Sequence, residues 1–89
     1  MIYKNGDVVV SLKGRDEGTF YVVLNQEDKF VWVADGKHKK LENSKRKNAK
    51  HLLKLEKYVD TKVFTTNKQV SHVLKQYKID TEKEGRSLV

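Results

Sequence analysis

Apolar residues in the first third of the chain come in short runs cut by glycine and polar clusters. Residues 7 to 12 (Asp-Val-Val-Val-Ser-Leu) and 19 to 24 (Thr-Phe-Tyr-Val-Val-Leu) are bounded by Gly6, Gly14, Gly18 and the polar stretch Asn25 to Asp28. β-Branched and aromatic residues in runs of this length predict strands. A third run, Phe30 to Ala34, ends at Asp35-Gly36, a pair favoured in two-residue hairpin loops because both central residues need positive φ. The chain is then expected to turn back through Lys37 to Glu42. Asn43 to Asn48 contains no apolar residue and reads as an exposed loop, followed by one more short strand within Ala49 to Leu55. Four or five short strands so spaced suggest a small closed or half-closed barrel.

The pattern changes after Tyr58. Thr66 followed three positions later by Gln69 matches a capping box, and Val70, Val73, Leu74 and Tyr77 then recur with helical spacing. One helix of about three turns is predicted, with a stripe too short to be stable alone in water. It is therefore expected to dock on an open face of the barrel. Thr81 to Val89 has no apolar period and is expected to fray. The organisation read from the sequence is a barrel over 1–58, a linker and helix over 59–80, and a tail over 81–89. The fold class is mainly β, with one C-terminal α-helix.

At 89 residues there is room for one small core, with about 60 to 65% of the unfolded chain's surface buried. A large catalytic cleft does not fit such a chain. It has no cysteine, which excludes disulfides and thiolate zinc sites and leaves packing to supply stability. His38, His51 and His72 lack metal-ligand spacing, and no Ser, His and acid form a catalytic motif. Asp7, Asp16 and Glu17 read as strand-edge and turn residues. The expectation is a protein with no enzymatic activity, metal or cofactor. Without an apolar leader or a membrane-length apolar stretch, the sequence predicts a soluble, cytoplasmic protein with no membrane partner.

Charge adds the sharpest feature. Residues 37 to 54 hold eight of the nineteen Lys and Arg against one acid, Glu42, so this segment alone equals the +7 net charge of the whole chain. The remainder is neutral. A charge so concentrated suits a polyanion, and nucleic acid is the first candidate, because phosphate neutralisation releases counterions. Lysines are point charges and do not read guanine in the bidentate manner of arginine, so affinity for backbone with little base preference is expected.

The segment Gly6-Asp7-Val8-Val9-Val10-Ser11-Leu12-Lys13-Gly14-Arg15-Asp16-Glu17-Gly18-Thr19-Phe20-Tyr21 resembles the KOW motif, in which Gly-Asp opens an apolar strand and a Gly-x-x-x-Gly loop leads to a second. Val33-Ala34-Asp35-Gly36 is similar to the strand and hairpin that follow. The lysine-rich segment and His51-Leu52 resemble, more narrowly, small bacterial KOW-domain proteins related to large-subunit ribosomal proteins of archaea and eukaryotes. Tyr21 stands where many KOW domains have a further glycine. The resemblance spans residues 6 to 55 and implies an SH3-like barrel that binds RNA, most often ribosomal RNA, with ribosomal proteins as further partners. By position it assigns Lys13, Gly14, Arg15 and Gly18 to the nucleic acid, with the basic residues after Gly36: Lys37, His38, Lys39, Lys40, Lys45, Arg46, Lys47 and Lys50. Independently of the family, glycines let a backbone approach phosphate, and adjacent bases supply charged donors.

Two readings compete over the remaining features. Phe20, Tyr21, Phe30 and Trp32 are either core or a base-stacking surface, and in so small a domain burial of Trp32 is the expectation. The alternative function class is a protein-interaction module that uses the barrel or the helix stripe.

Overall fold

The computed structural model describes residues 3–85. Strands β1 (Asp7–Ser11), β2 (Phe20–Glu27), β3 (Phe30–Ala34), β4 (Lys45–Asn48) and β5 (Leu52–Tyr58) precede helix α1 (Asn67–Lys83). Two single 3-10 turns, Leu41–Asn43 and Ala49–His51, flank β4. The strands form one antiparallel sheet in the order β4-β3-β2-β1-β5. The β2–β3 hairpin turns at Asp28-Lys29, with Asp28 in the left-handed region at φ 56°, a conformation that aspartate tolerates better than most residues. β2 therefore continues past Leu24, and a register shift between Val23 and Asn25 marks where its apolar half ends.

Both faces of the sheet are covered, which explains why β1 and the first half of β2 are apolar without alternation. Tyr3, Val9, Tyr21, Val23, Val31, Val33 and Leu52 pack together on the inner face. Val8, Val10, Phe20, Val22, Ala34, Leu55 and Val59 pack on the outer face with Val70 and Leu74 of α1. The expected stripe docks as proposed: Val70 and Leu74 are buried, and Val73 and Tyr77 lie half-buried against the same cluster. Thr66 caps the helix in a full capping box with Gln69.

The sheet is strongly curled. β4 and β1 are separated in the sheet by β3 and β2, about 14 Å if flat. Yet Nζ of Lys47 on β4 lies 2.8 Å from Oγ of Ser11 at the end of β1. Only a sheet rolled toward a barrel brings those two strands within reach of one side chain.

Four sequence expectations need correction. Residues 43–48 are not a loop: Lys45–Asn48 pairs with β3 as an edge strand, in the register Phe30↔Asn48 to Val33↔Lys45. The short strand expected within Ala49 to Leu55 begins only at Leu52 and runs to Tyr58. Asp35-Gly36 does not close a two-residue hairpin. Asp35 Oδ1 instead accepts from the Lys37 and Lys39 amides at 2.9 and 2.8 Å, making a wider turn. Gly36 has φ 75°, and a Cβ there would lie 3.0 Å from the Ser71 amide nitrogen and closer still to the Asn67 carbonyl. This glycine is required by the passage of the turn against the first turn of α1. Finally, α1 extends to Lys83, so residues 81–83 of the expected tail are helical. Thr81 is buried and its hydroxyl donates to the Tyr77 carbonyl at 2.8 Å. Residues 86–89 lie outside the described residues.

Candidate nucleic-acid interface

The loop between β1 and β2 is a tight turn in which the Gly18 amide donates to the Ser11 carbonyl at 2.8 Å and Thr19 to Asp16 at 2.9 Å. Gly14 and Gly18 take φ of 94° and 87°, a region costly for residues with a Cβ. These glycines place Asp16 over the open end of the curled sheet, among Ser11, Tyr21 and the two inward lysines of β4.

Strand alternation decides which members of the basic run reach that end. Lys45 and Lys47 stand opposite Val33 and Val31, whose side chains lie on the inner face, whereas Arg46 and Asn48 stand opposite Trp32 and Phe30 on the other face. Lys47 is buried, and its ammonium donates to Ser11 Oγ at 2.8 Å, Asp16 Oδ1 at 3.0 Å and the Lys13 carbonyl at 3.2 Å. Lys45 Nζ reaches Asp16 Oδ2 at 3.2 Å, and the Tyr21 hydroxyl donates to the same oxygen at 2.7 Å. Asp16 is thus an organising centre and not merely a turn residue. Burial alone would raise its pKa, but the bonds from Tyr21, Lys47, Lys45 and Ser11 outweigh that and hold the carboxyl well below the usual range. Burial and the neighbouring Asp16 carboxylate push the Tyr21 phenol up.

Lys47 is consequently withdrawn from the predicted binding set. Its three donors are satisfied within the protein, and breaking a buried ion pair to reach solvent phosphate is expensive. Lys45 is partly committed in the same way, with 35% of its side chain exposed.

Around this centre the fold gathers residues that are distant in sequence. Lys13, Gly14, Arg15, Lys45, Arg46 and His51 line a shallow depression of about 450 Å³, in which Asp16 is the only acid. Arg15, Lys45, His38 and Lys39 line an adjoining depression of about 390 Å³ that also includes Asp35. Gly18 is half-buried and shapes the loop. Three predicted residues lie elsewhere. Lys37 faces Lys75 and Lys78 of α1, Lys50 sits beside Lys29 near the β2–β3 turn, and Lys40 is exposed at the start of the first 3-10 turn.

The sequence reading did not place His51 among the residues facing the nucleic acid. It sits in the main depression, with its pKa lowered by desolvation and by the charges of Lys13, Lys50 and Lys47. Lys75 and Lys78 were also missed, although at one and four positions after Leu74 they both fall on the same flank of the stripe, beside the docked helix's edge. Trp32 meets the expectation of burial only in part: it is half-buried and belongs to neither core cluster.

Among the described residues, no group of three His, Cys, Asp or Glu is arranged to hold a metal ion, and no helix is long and apolar enough to cross a membrane. No protein-family model matches the chain, and no curated protein matches it significantly.

Proposed function

We propose that the protein is an RNA-binding module, an SH3-like barrel of the KOW kind, that grips the phosphate backbone of structured RNA at the depression between the Gly14–Gly18 loop and β4. The observation that supports this most is electrostatic. Lys13, Arg15, Arg46 and His51 converge there from three chain segments, and the one acid among them, Asp16, already has its charge opposed by Lys45 and Lys47. What remains facing solvent is cationic, on a turn held by glycine. Ribosomal RNA is the expected class, in keeping with the resemblance of residues 6 to 55.

The helix form of the protein-interaction alternative loses its main support, because the stripe of Val70 and Leu74 is spent on the sheet.

The test is a filter-binding titration on ribosomal RNA fragments at several salt concentrations, comparing wild type with Lys13→Gln, Arg15→Gln and Lys39→Gln combined. These three side chains are exposed, so the fold should be retained, with circular dichroism as the check. Log affinity should fall with log salt, and the triple variant should flatten that slope by about 2 to 3. Equal affinity and slope for the two proteins would reject the depression as the phosphate site.

A further inference from the structure

Beside the basic depression, the outer face of the sheet carries two aromatic rings that the core does not use. Val31 and Val33 are fully buried on the inner face, so the alternation of β3 sends Phe30 and Trp32 outward. α1 covers the Phe20, Val22 and Ala34 part of that face, but neither Phe30 nor Trp32 belongs to the cluster beneath it, and both are only partly buried. In a chain with one tryptophan and a small core, leaving part of the largest apolar side chain in water forgoes stabilisation that full burial would supply.

The cations around these rings indicate the kind of occupant. Arg46 stands directly opposite Trp32 in the β3–β4 register, and its guanidinium lies 4.5 Å from the centroid of the Phe30 ring. Lys29 Nζ approaches the same ring at 5.6 Å. Arg46 also lines the basic depression, so one side chain joins the phosphate-binding surface to the aromatic one. Glu27 stands opposite Phe30 from the other side, which disfavours phosphate there and favours it along β4.

We infer that Trp32 and Phe30, bridged by Arg46, form a stacking platform for unpaired bases of an RNA single strand whose backbone runs along β4 into the basic depression. This rests on the RNA-binding reading and specifies which RNA is taken: a single-stranded loop or end next to the structured part. Aromatic faces stack only on bases with a free π-face, which a duplex keeps within its own stack. An arginine plane over a ring prolongs the stacking surface and supplies charge beside it.

Trp32 is the only tryptophan, so its fluorescence reports on the platform directly. The titrants are a single-stranded RNA of about ten nucleotides and a duplex of the same length, read by fluorescence for wild type and Phe30→Leu, and by filter binding for those and Trp32→Leu. The single strand should quench Trp32, and the duplex should not. Trp32→Leu should weaken single-strand binding about 5- to 100-fold and leave duplex binding within about twofold, because the depression is untouched. Phe30→Leu keeps the reporter, and should weaken single-strand binding in the same direction even if Trp32→Leu proves unstable. Binding of both RNAs without quenching, or equal quenching by both, would overturn the platform while leaving the phosphate site standing. Failure of both RNAs to bind at low salt would overturn both readings and favour a protein strand or peptide as the occupant of this face.

Discussion

Asp16 and Lys47 are 31 residues apart in the chain and 3.0 Å apart in the structure, paired across the open end of the curled sheet. The pair joins the β1–β2 loop to the edge strand β4, and so connects two segments that sequence reading assigned separately to binding. Its lysine has few other ways of being satisfied, whereas its carboxylate has several.

That asymmetry gives the first prediction. Asp16→Asn removes the charge that holds both Lys45 and Lys47, leaving a buried ammonium with only neutral acceptors: Ser11 Oγ, the Lys13 carbonyl and the new amide oxygen. The expected cost is about 2 to 4 kcal/mol, below the full value for a completely buried pair because both partners keep some solvent contact. Lys47→Met leaves Asp16 with Lys45, Tyr21 and Ser11 and places an apolar side chain beside Val31, so it should cost less, about 0 to 2 kcal/mol. Urea denaturation of the two variants is the check. A Lys47→Met cost as large as that of Asp16→Asn would contradict the asymmetry.

The same network sets the acid limb of stability. The Asp16 pKa is depressed in the folded protein relative to about 3.9 in the unfolded chain. Its contribution is then complete above the unfolded value and disappears as pH falls toward the folded one. The stability difference between wild type and Asp16→Asn should be constant near neutrality and shrink as pH drops below about 4. Denaturation midpoints at pH 7, 4 and 2.5 would show it, and a difference that persists unchanged at the lowest pH would refute the assignment.

β1, β2, β3 and α1 were legible because their apolar residues obey the periods of strand and helix, and Thr66 and Gln69 mark the helix start. β4 was not, since its inward side chains are Lys45 and Lys47 and no hydrophobic pattern announces them. The charge that satisfies them comes from Asp16, in a loop whose glycines account for it locally. The basic run was legible as charge but not as geometry. A strand period divides it, sending Lys47 inward and Arg46 outward, whereas a loop reading treats both as one surface. Trp32 sits in a run apolar on both faces, so only the position of the docked helix reveals that its part of the outer face is incompletely covered.

Gly36 offers a test of how the basic turn is seated. Its φ of 75° and the proximity of the Asn67 carbonyl and Ser71 amide mean that a methyl group there meets both conformational strain and backbone. Gly36→Ala should destabilise by about 1 to 3 kcal/mol. Gly14→Ala has comparable φ but meets only Asp16 Oδ1 at 3.3 Å, so it should cost less. Thermal melts of the two variants distinguish the clash from the shared strain: equal losses would mean that contact with α1 contributes nothing.

The last prediction couples His51 to ligand binding. In the free protein, desolvation and then Lys13, Lys50 and Lys47 lower the His51 pKa below its ordinary value, so the imidazole is neutral near pH 7. A phosphate in the depression opposes those cations and favours the protonated ring, raising the pKa in the complex. A group with a higher pKa when bound takes up a proton on binding, so affinity for RNA should increase as pH falls through the region of about 7 to 5.5. His51→Gln should abolish most of this increase while leaving the affinity at pH 8 near that of wild type, where position 51 carries no charge in either protein. His38, in the adjoining depression, provides the control, and His38→Gln should retain most of the pH response. Filter-binding isotherms across that range at constant ionic strength are the measurement. If wild type and His51→Gln show the same pH dependence, His51 does not face phosphate, and the main depression is not where the backbone lies.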